Sequence, residues 1–266
     1  MSMFRLGTNR PVRRRQASAV TGIEISELDG VRALHIDSST VQSAMRVNAP
    51  YDLELTYSRG IMTFLLFKQQ VREVLVLGLG GGSIPKFIWR YLPEIRTRVV
   101  EINPTVIEIA RSHFMLPEDD ERLEVIEDDG AQYLRNNPSS AELLVLDIFD
   151  GHGIPPELYS QSFFDSCAEA LKTDGMIAAN LWGSDKNFDI YLQRIEQSFG
   201  NRVLVMPTGR PGNIVVFAFR RTPADLRWAT LRDQAKVLSE DFKIEFLEFV
   251  ERLRDNNPNT SNRLIL

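Results

Sequence analysis

The sequence predicts an α/β fold of the doubly wound type, in which a mainly parallel seven-stranded sheet carries helices on both faces. Residues 74–77 form a continuous apolar run, which is typical of a strand buried on both sides. A glycine cluster and a helical stretch follow this run directly. Beyond them, short apolar runs alternate with helical stretches, and this spacing indicates parallel strands joined by crossover helices.

The first part of the chain predicts a small β domain. Apolar and polar residues alternate on both sides of Asp29-Gly30, a dipeptide that favours the type I′ turn of a hairpin. A further extended stretch covers residues 41–47, and residues 57–69 carry apolar side chains at helical spacing. We therefore expect a hairpin domain ahead of the main sheet.

The main sheet is expected to contain strands at residues 74–77, 98–100, 123–126, 143–146, 176–179, 203–206 and 214–219. Helices are predicted at residues 84–91, 105–113, 163–171 and 188–199, with a helical extension after residue 221. The last ten residues are rich in Asn and Ser and predict a loosely held end. The predicted organisation is a flexible basic tail (1–18), the β-hairpin domain (19–56), a nucleoside-binding catalytic domain (57–221) and the helical extension (222–266).

Composition narrows the classes of function. The chain has 266 residues, a formal net charge of −5 and 43% hydrophobic residues, so we expect a globular protein without a general nucleic-acid surface. Its apolar runs are too short to span a bilayer, and no signal peptide is visible. The single cysteine, Cys167, excludes a disulfide framework, and no residues have the spacing of metal ligands. These features predict a cytoplasmic protein without a metal site or a membrane partner.

The glycine cluster is the first candidate binding site. Gly78, Gly80, Gly81 and Gly82 lie between a predicted buried strand and a helix, where glycines allow a tight turn and close approach of a ligand. Glu101 stands 21 residues beyond Gly80, at the end of the next strand, where a carboxylate can accept both hydroxyls of a ribose. The pair predicts a nucleoside ligand, and the absence of a following Gly-Lys-Ser/Thr excludes a P-loop.

Asp128, Asp129 and Gly130 follow the third predicted strand of the main sheet. Ligands of doubly wound sheets bind beyond the carboxyl ends of the strands, so an acid here can accept a hydrogen bond from an adenine amino group. An Asp before a helical stretch also caps the helix. The two aspartates can divide these roles.

Asp147 and Asp150 follow the fourth predicted strand and form the candidate catalytic pair. Two carboxylates this close repel each other, so the pKa of one is expected to rise toward a value that suits a general base. The loop at residues 151–156 is a candidate lid. His152 within it is better explained as a solvated loop residue, and Cys167 as a core residue.

At these residues the chain resembles the spermidine synthase (polyamine aminopropyltransferase) family, over about residues 23–220. The similarity is carried by the glycine cluster, the Val100-Glu101-Ile102-Asn103 segment followed by Val106-Ile107-Glu108, the Asp129-Gly130 pair, Asp147 with Asp150, the stretch from Leu158-Tyr159 to Gly175, and Gln42 with Tyr57 in the hairpin region.

The resemblance implies a Rossmann-like fold of the S-adenosylmethionine-methyltransferase type and a donor co-substrate, decarboxylated S-adenosylmethionine, with no tightly bound cofactor. It also implies an amine acceptor and a homodimer or homotetramer. Glu101 would hold the ribose and Asp129 the adenine. Asp147 would take the proton of the attacking amine, with assistance from Asp150 and Tyr57. The implied donor pocket further includes Gln42, Gly78, Gly80, Gly81, Gly82 and Gly130.

Three departures from the family pattern predict an altered acceptor site. Gly81 stands where the family carries an Asp that pairs with the ammonium of the donor. Arg59 replaces an acid after Tyr57, and Gly209, followed by Arg210, replaces a Tyr of the acceptor site. The sequence leaves two alternatives open, a methyltransferase that uses intact S-adenosylmethionine and a non-catalytic nucleoside-binding relative.

Overall fold

A computed structural model describes residues 14–17, 22–37, 39–148, 156–209 and 212–266. Asp150, His152, Arg210 and residues 151–155 of the candidate lid (151–156) lie outside the described residues, as does most of the predicted basic tail. Within the described part of the chain, no helix combines the length and the hydropathy needed to cross a bilayer.

The N-terminal sheet has four antiparallel strands in sequence order: β1 (Arg14–Ala17), β2 (Ile23–Leu28), β3 (Val31–Ile36) and β4 (Ser43–Arg46). Asp29 and Gly30 have φ angles of 51° and 75°, which confirms the predicted type I′ turn. β1 lies within the segment predicted as a tail, and its residues pair with β2. The short helices α1 (Thr56–Ile61) and α2 (Phe64–Phe67) lead to the main sheet.

The main unit alternates strands and helices as predicted. Its elements are β5 (Glu73–Leu77), α3 (Ser83–Tyr91), β6 (Arg96–Glu101), α4 (Pro104–Phe114), β7 (Leu123–Glu127), α5 (Gly130–Asn136), β8 (Ala141–Leu146), a 3₁₀ turn (Pro156–Tyr159), α6 (Gln161–Ala170), β9 (Leu171–Trp182), α7 (Phe188–Phe199), β10 (Val203–Pro207) and β11 (Asn213–Phe219).

The seven strands are ordered β10-β11-β9-β8-β5-β6-β7. Both pairings of β11 are antiparallel, and the other four are parallel. The chain leaves β5 toward one edge and returns at β8 to build toward the other, so these neighbours flank the switch point where such sheets bind ligands.

The central strand β5 is buried on both faces. Val74 and Val76 belong to the larger hydrophobic core, whereas Leu75 and Leu77 belong to the second core on the opposite face of the sheet. None of the four is more than 1% exposed. The continuous apolar run thus reflects two cores rather than one, as predicted.

The C-terminal extension consists of α8 (Trp228–Phe242), α9 (Phe246–Asn256) and a well-held end. Leu264 is fully buried, and its N–H donates to the carbonyl of Leu226 at 2.9 Å. The N–H of Trp228 donates to the carbonyl of Asn262 at 2.9 Å. The prediction of a loose end is therefore wrong, because one apolar side chain and these backbone bonds outweigh the polar composition.

Candidate functional site

A cavity of about 480 Å³ lies at the carboxyl ends of β5 to β8, at the switch point. The structure brings most of the predicted site residues to its wall: Gln42, Tyr57, Gly78, Gly80, Glu101, Asp129, Gly130 and Asp147. Its remaining lining is largely apolar and includes the 66% exposed Ile102. We call this space the first cavity.

The glycine cluster plays two different parts. Gly78 has a φ of 89°, and a Cβ there would overlap the backbone carbonyl of Asp147, so only glycine allows β5 to end this close to β8. Gly81 and Gly82 are not among the described residues that line the first cavity. A Cβ at Gly81 would lie 2.8 Å from both the Phe114 ring and Ser43 Oγ. A side chain at position 81 would therefore meet packed side chains, and the places of Gly81 and Gly82 in the donor pocket stay predictions.

Glu101 ends β6 and ties the glycine cluster to the following turn. Its Oε2 accepts from the N–H of Leu79 and its Oε1 from the N–H of Asn103, both at 2.9 Å. Burial raises the pKa of Glu101, and these backbone bonds oppose that rise. Each carboxylate oxygen has a second lone pair, so both remain able to accept a ribose hydroxyl.

Asp129 combines the two roles that its sequence position allowed. Its Oδ1 accepts from the N–H of Gln132 at 2.7 Å and caps α5. It also lines the first cavity, where its second oxygen can accept from a ligand. Asp128 supports the turn by accepting from the N–H of Asp129 at 2.8 Å. Gly130, the first residue of α5, brings the backbone close to Leu77.

Asp147 is the residue of this site whose surroundings best suit a general base. It is half-buried in the wall of the first cavity, and this burial raises its pKa to about 6. Its Oδ2 accepts from the hydroxyl of Tyr57 at 3.2 Å, and its Oδ1 accepts from Nδ2 of Asn180 at 2.9 Å. Burial and the neighbouring Asp147 raise the pKa of Tyr57 well above its ordinary value, so Tyr57 stays a phenol that donates.

A second cavity of about 500 Å³ adjoins the first, and Gln42 and Tyr57 line both. Its wall also includes Glu54, Asn180 and the partly exposed Trp182. Asn180 was not predicted as a site residue. The sequence did carry an indication, because Asn180 is a polar residue that directly follows the apolar run at 176–179, near the carboxyl end of the strand next to β8.

Arg59 does not belong to the lining of either cavity among the described residues. Its guanidinium forms an ion pair with Glu245 at 2.9 Å and donates to the carbonyls of Leu53 and Glu54. The positive charge of Arg59 is thus offset by the carboxylate of Glu245. Gly209 does line the second cavity, and its φ of 114° is one that other residues rarely adopt.

Two further expectations concern the cysteine and a possible metal site. Cys167 is fully buried in the second core, as predicted. Across the part of the chain that the structure describes, no group of three or more His, Cys, Asp or Glu side chains could hold a metal ion.

Known proteins show the same architecture and sequence pattern. The family model of the spermine/spermidine synthase domain matches residues 54–217. A polyamine aminopropyltransferase of Chromobacterium violaceum is 40% identical over 259 residues, which cover 96% of this chain and 99% of the relative.

Solved structures agree at the level of the fold. A spermidine synthase in complex with the transition-state analogue AdoDATO superposes with a TM-score of 0.70 at 20% identity, covering 89% of this chain and 84% of that one. Human methyltransferase-like protein 13, in complex with SAH, superposes with a TM-score of 0.60 at 24% identity, covering 70% and 89%. On the matched domain and the long 40% identical alignment, the chain belongs to the spermine/spermidine synthase family of transferases.

Proposed function

We propose that this chain transfers the aminopropyl group of decarboxylated S-adenosylmethionine to an amine, as a polyamine aminopropyltransferase. One observation carries the proposal: a carboxylate with a raised pKa, Asp147, is hydrogen-bonded to Tyr57, which lines both adjoining cavities. The first cavity would take the donor and the second the acceptor, so the base would stand where the two substrates meet.

Donor binding follows from the polar groups of the first cavity. Glu101 accepts the two ribose hydroxyls, and Asp129 accepts from the adenine amino group with the oxygen that does not cap α5. The apolar part of the wall, including the exposed Ile102, contacts the adenine face. A nucleoside held at both ends places its sulfonium arm toward Gln42, Tyr57 and Asp147.

The acceptor reaches Asp147 through the second cavity. Glu54 supplies a carboxylate in its wall, and Trp182 supplies an aromatic face, and both attract an ammonium group. Because a protonated amine has no free lone pair, it must lose a proton before it attacks. Asp147 takes that proton, and Tyr57 holds the carboxylate in place.

The bond changes balance without any further reactant. The nitrogen lone pair of the acceptor attacks the aminopropyl carbon beside the sulfonium, and a C–N bond forms. The C–S bond breaks, its electron pair goes to sulfur, and neutral methylthioadenosine leaves. The proton displaced from the nitrogen remains on Asp147 until it exchanges with solvent.

The test is an assay for methylthioadenosine with decarboxylated S-adenosylmethionine and a panel of diamines, including putrescine and cadaverine. We expect turnover that requires both substrates, and loss of at least 100-fold in Asp147→Asn, since general bases contribute about 10² to 10⁴. Calorimetric titration of the Asp147→Asn variant with methylthioadenosine checks that its donor site is intact. Turnover of intact S-adenosylmethionine instead, with methyl transfer, would contradict the proposal.

The remaining sequence-based expectations stay predictions. These are the altered acceptor preference, the assistance by Asp150, the cytoplasmic location, the homodimer or homotetramer, and the domain boundaries at residues 19–56, 57–221 and 222–266. Rates across the diamine panel, the variant Asp150→Asn, cell fractionation, light scattering and limited proteolysis would test them in turn.

A further inference from the structure

The side chains behind Asp147 form a line of hydrogen bonds across neighbouring strands. Asn180, in β9, donates from Nδ2 to Oδ1 of Asp147 at 2.9 Å. Asn213, in β11, donates from Nδ2 to Oδ1 of Asn180 at 3.0 Å. Because β8, β9 and β11 are adjacent in the sheet, these residues stand side by side at its ligand-binding end.

The direction of this line is dictated by chemistry. An ionised carboxylate accepts hydrogen bonds but cannot donate, so Asn180 must present its NH₂ group to Asp147. Its carbonyl oxygen then points the other way and needs a donor, and the NH₂ group of Asn213 supplies one. We propose that Asn180 and Asn213 are a positioning pair that fixes Asp147 as an ionised, oriented base, an inference that rests on the proposed function.

Burial makes the arrangement stable. Asn180 is only 2% exposed and lies between the fully buried Ala179 and the 1% exposed Leu181. A buried amide that turned over would face the carboxylate with its own oxygen and leave two acceptors opposed. With Oδ2 held by Tyr57 and Oδ1 held by Asn180, both oxygens of Asp147 have a defined donor.

Other titratable groups lie near Asp147, and the negative charges among them oppose its ionisation. Tyr57 approaches from α1, and Tyr159, from the 3₁₀ turn, has a pKa raised mainly by burial and in part by the charge of Asp147. Further acids in the wall of the first cavity, from β3, β6 and the end of β7, are Asp37, Glu101 and Asp129. Among the described residues that line this cavity, none is a Lys or Arg, so hydrogen-bond donors must hold the charge.

The decisive experiment is the pH profile of aminopropyl transfer in Asn180→Leu. Asn180 lowers the pKa of Asp147, so its loss raises that pKa and moves the acidic limb of kcat/KM to higher pH. Since a hydrogen bond to a charged group is lost, we expect a shift of about one pH unit or more, which is at least about tenfold in rate on that limb. Methylthioadenosine affinity, which does not involve Asn180, should be unchanged.

Two variants at Asn213 separate orientation from packing. Asn213→Asp replaces the donor with an acceptor, so the Asn180 amide must turn and present its oxygen to Asp147. We therefore expect the acidic limb of kcat/KM to move to higher pH, as in Asn180→Leu. Asn213→Leu removes the donor without adding charge, and we expect a smaller shift. The matched control is Gln161→Leu, which likewise removes a side-chain amide that donates to a carboxylate, Oδ1 of Asp165 at 3.0 Å, at residues outside the described lining of both cavities. Its limb should not move.

The outcomes distinguish this proposal from the proposed function. If the parent chain has no transferase activity, a ¹³C NMR titration of the Asp147 carboxyl group measures the same shift without turnover. A folded Asn180→Leu protein whose limb and titration are unmoved, whatever its maximal rate, would overturn the positioning role. Should Asn180→Leu fail to fold, unmoved titrations in both Asn213 variants would overturn it equally.

Discussion

Single side chains set the chemistry of this site, and Asp147 shows how. Its location in the cavity wall withholds water from the carboxylate, and two neutral donors, Asn180 and Tyr57, partly compensate. The resulting pKa of about 6 leaves Asp147 ionised near neutral pH, yet basic enough to accept a proton.

The first prediction concerns this pKa. The rate should rise with pH through about 6 as Asp147 loses its proton, and the limb should move to higher pH in Tyr57→Phe, because the phenol lowers the pKa of Asp147. The measurement is kcat/KM from pH 5 to 9 at saturating donor, for the parent and the variant. A Tyr57→Phe limb at lower pH would contradict the assigned hydrogen bond.

The second prediction concerns Glu101. Glu101→Gln replaces one acceptor with an NH₂ group that opposes either the Leu79 or the Asn103 N–H, so it weakens both the turn and the ribose contact. We expect methylthioadenosine affinity to fall by about 30- to 1000-fold, or about 2–4 kcal/mol. Glu108→Gln, an exposed residue of α4, makes the same charge change and should bind as the parent does. Equal affinity in the two variants would refute the assignment.

Contacts between elements explain what the sequence did not reveal about the glycine cluster. The cluster, the strand before it and Glu101 were predictable, because strand, turn and helix follow one another locally. The contacts of Gly81 could not be predicted, because Ser43 in β4 and Phe114 in α4 come from distant parts of the chain. The same holds for Asn180, whose partner Asp147 is 33 residues away.

The third prediction tests this packing. Gly81→Ala places a methyl group 2.8 Å from the buried Phe114 ring and from Ser43 Oγ, so we expect a loss of about 1–3 kcal/mol in the free energy of unfolding. Gly130→Ala is the matched control, since the three atoms nearest to its methyl group all belong to the Leu77 side chain, the closest at 3.3 Å. Denaturant titration measures both. A Gly81→Ala protein as stable as the control would show that this space is open after all.

At the scale of the whole molecule, the C-terminal extension contacts the strand β10, which leads into the wall of the second cavity. Asn257 exchanges two hydrogen bonds with the backbone of Val205 and so covers the edge strand β10. Arg252 donates to the carbonyl of Pro207, just before Thr208 and Gly209 of the cavity wall. The sequence predicted the helices of this extension but not these polar contacts, because such side chains look solvated in isolation.

The last prediction concerns the ion pair that joins this extension to the acceptor side. Arg59 pairs with Glu245 and also holds the carbonyls of Leu53 and Glu54, and the residues from Glu54 to Tyr57 line the second cavity. Both side chains of the pair are about a quarter exposed, at 23% and 28%, so Glu245→Gln should cost only about 1 kcal/mol of stability.

Its functional effect should be selective. Without the charge of Glu245, Arg59 is less firmly held beside the segment that carries Glu54 and Tyr57, and its own charge is no longer offset near the second cavity, where we propose that the amine binds. We therefore expect a higher KM for the amine, with methylthioadenosine affinity unchanged. Glu251→Gln removes a similar ion pair, with Arg232, that lies within the extension, so its KM for the amine should match that of the parent. An equal rise in KM in both variants would mean that the extension acts through general stability and not through Arg59.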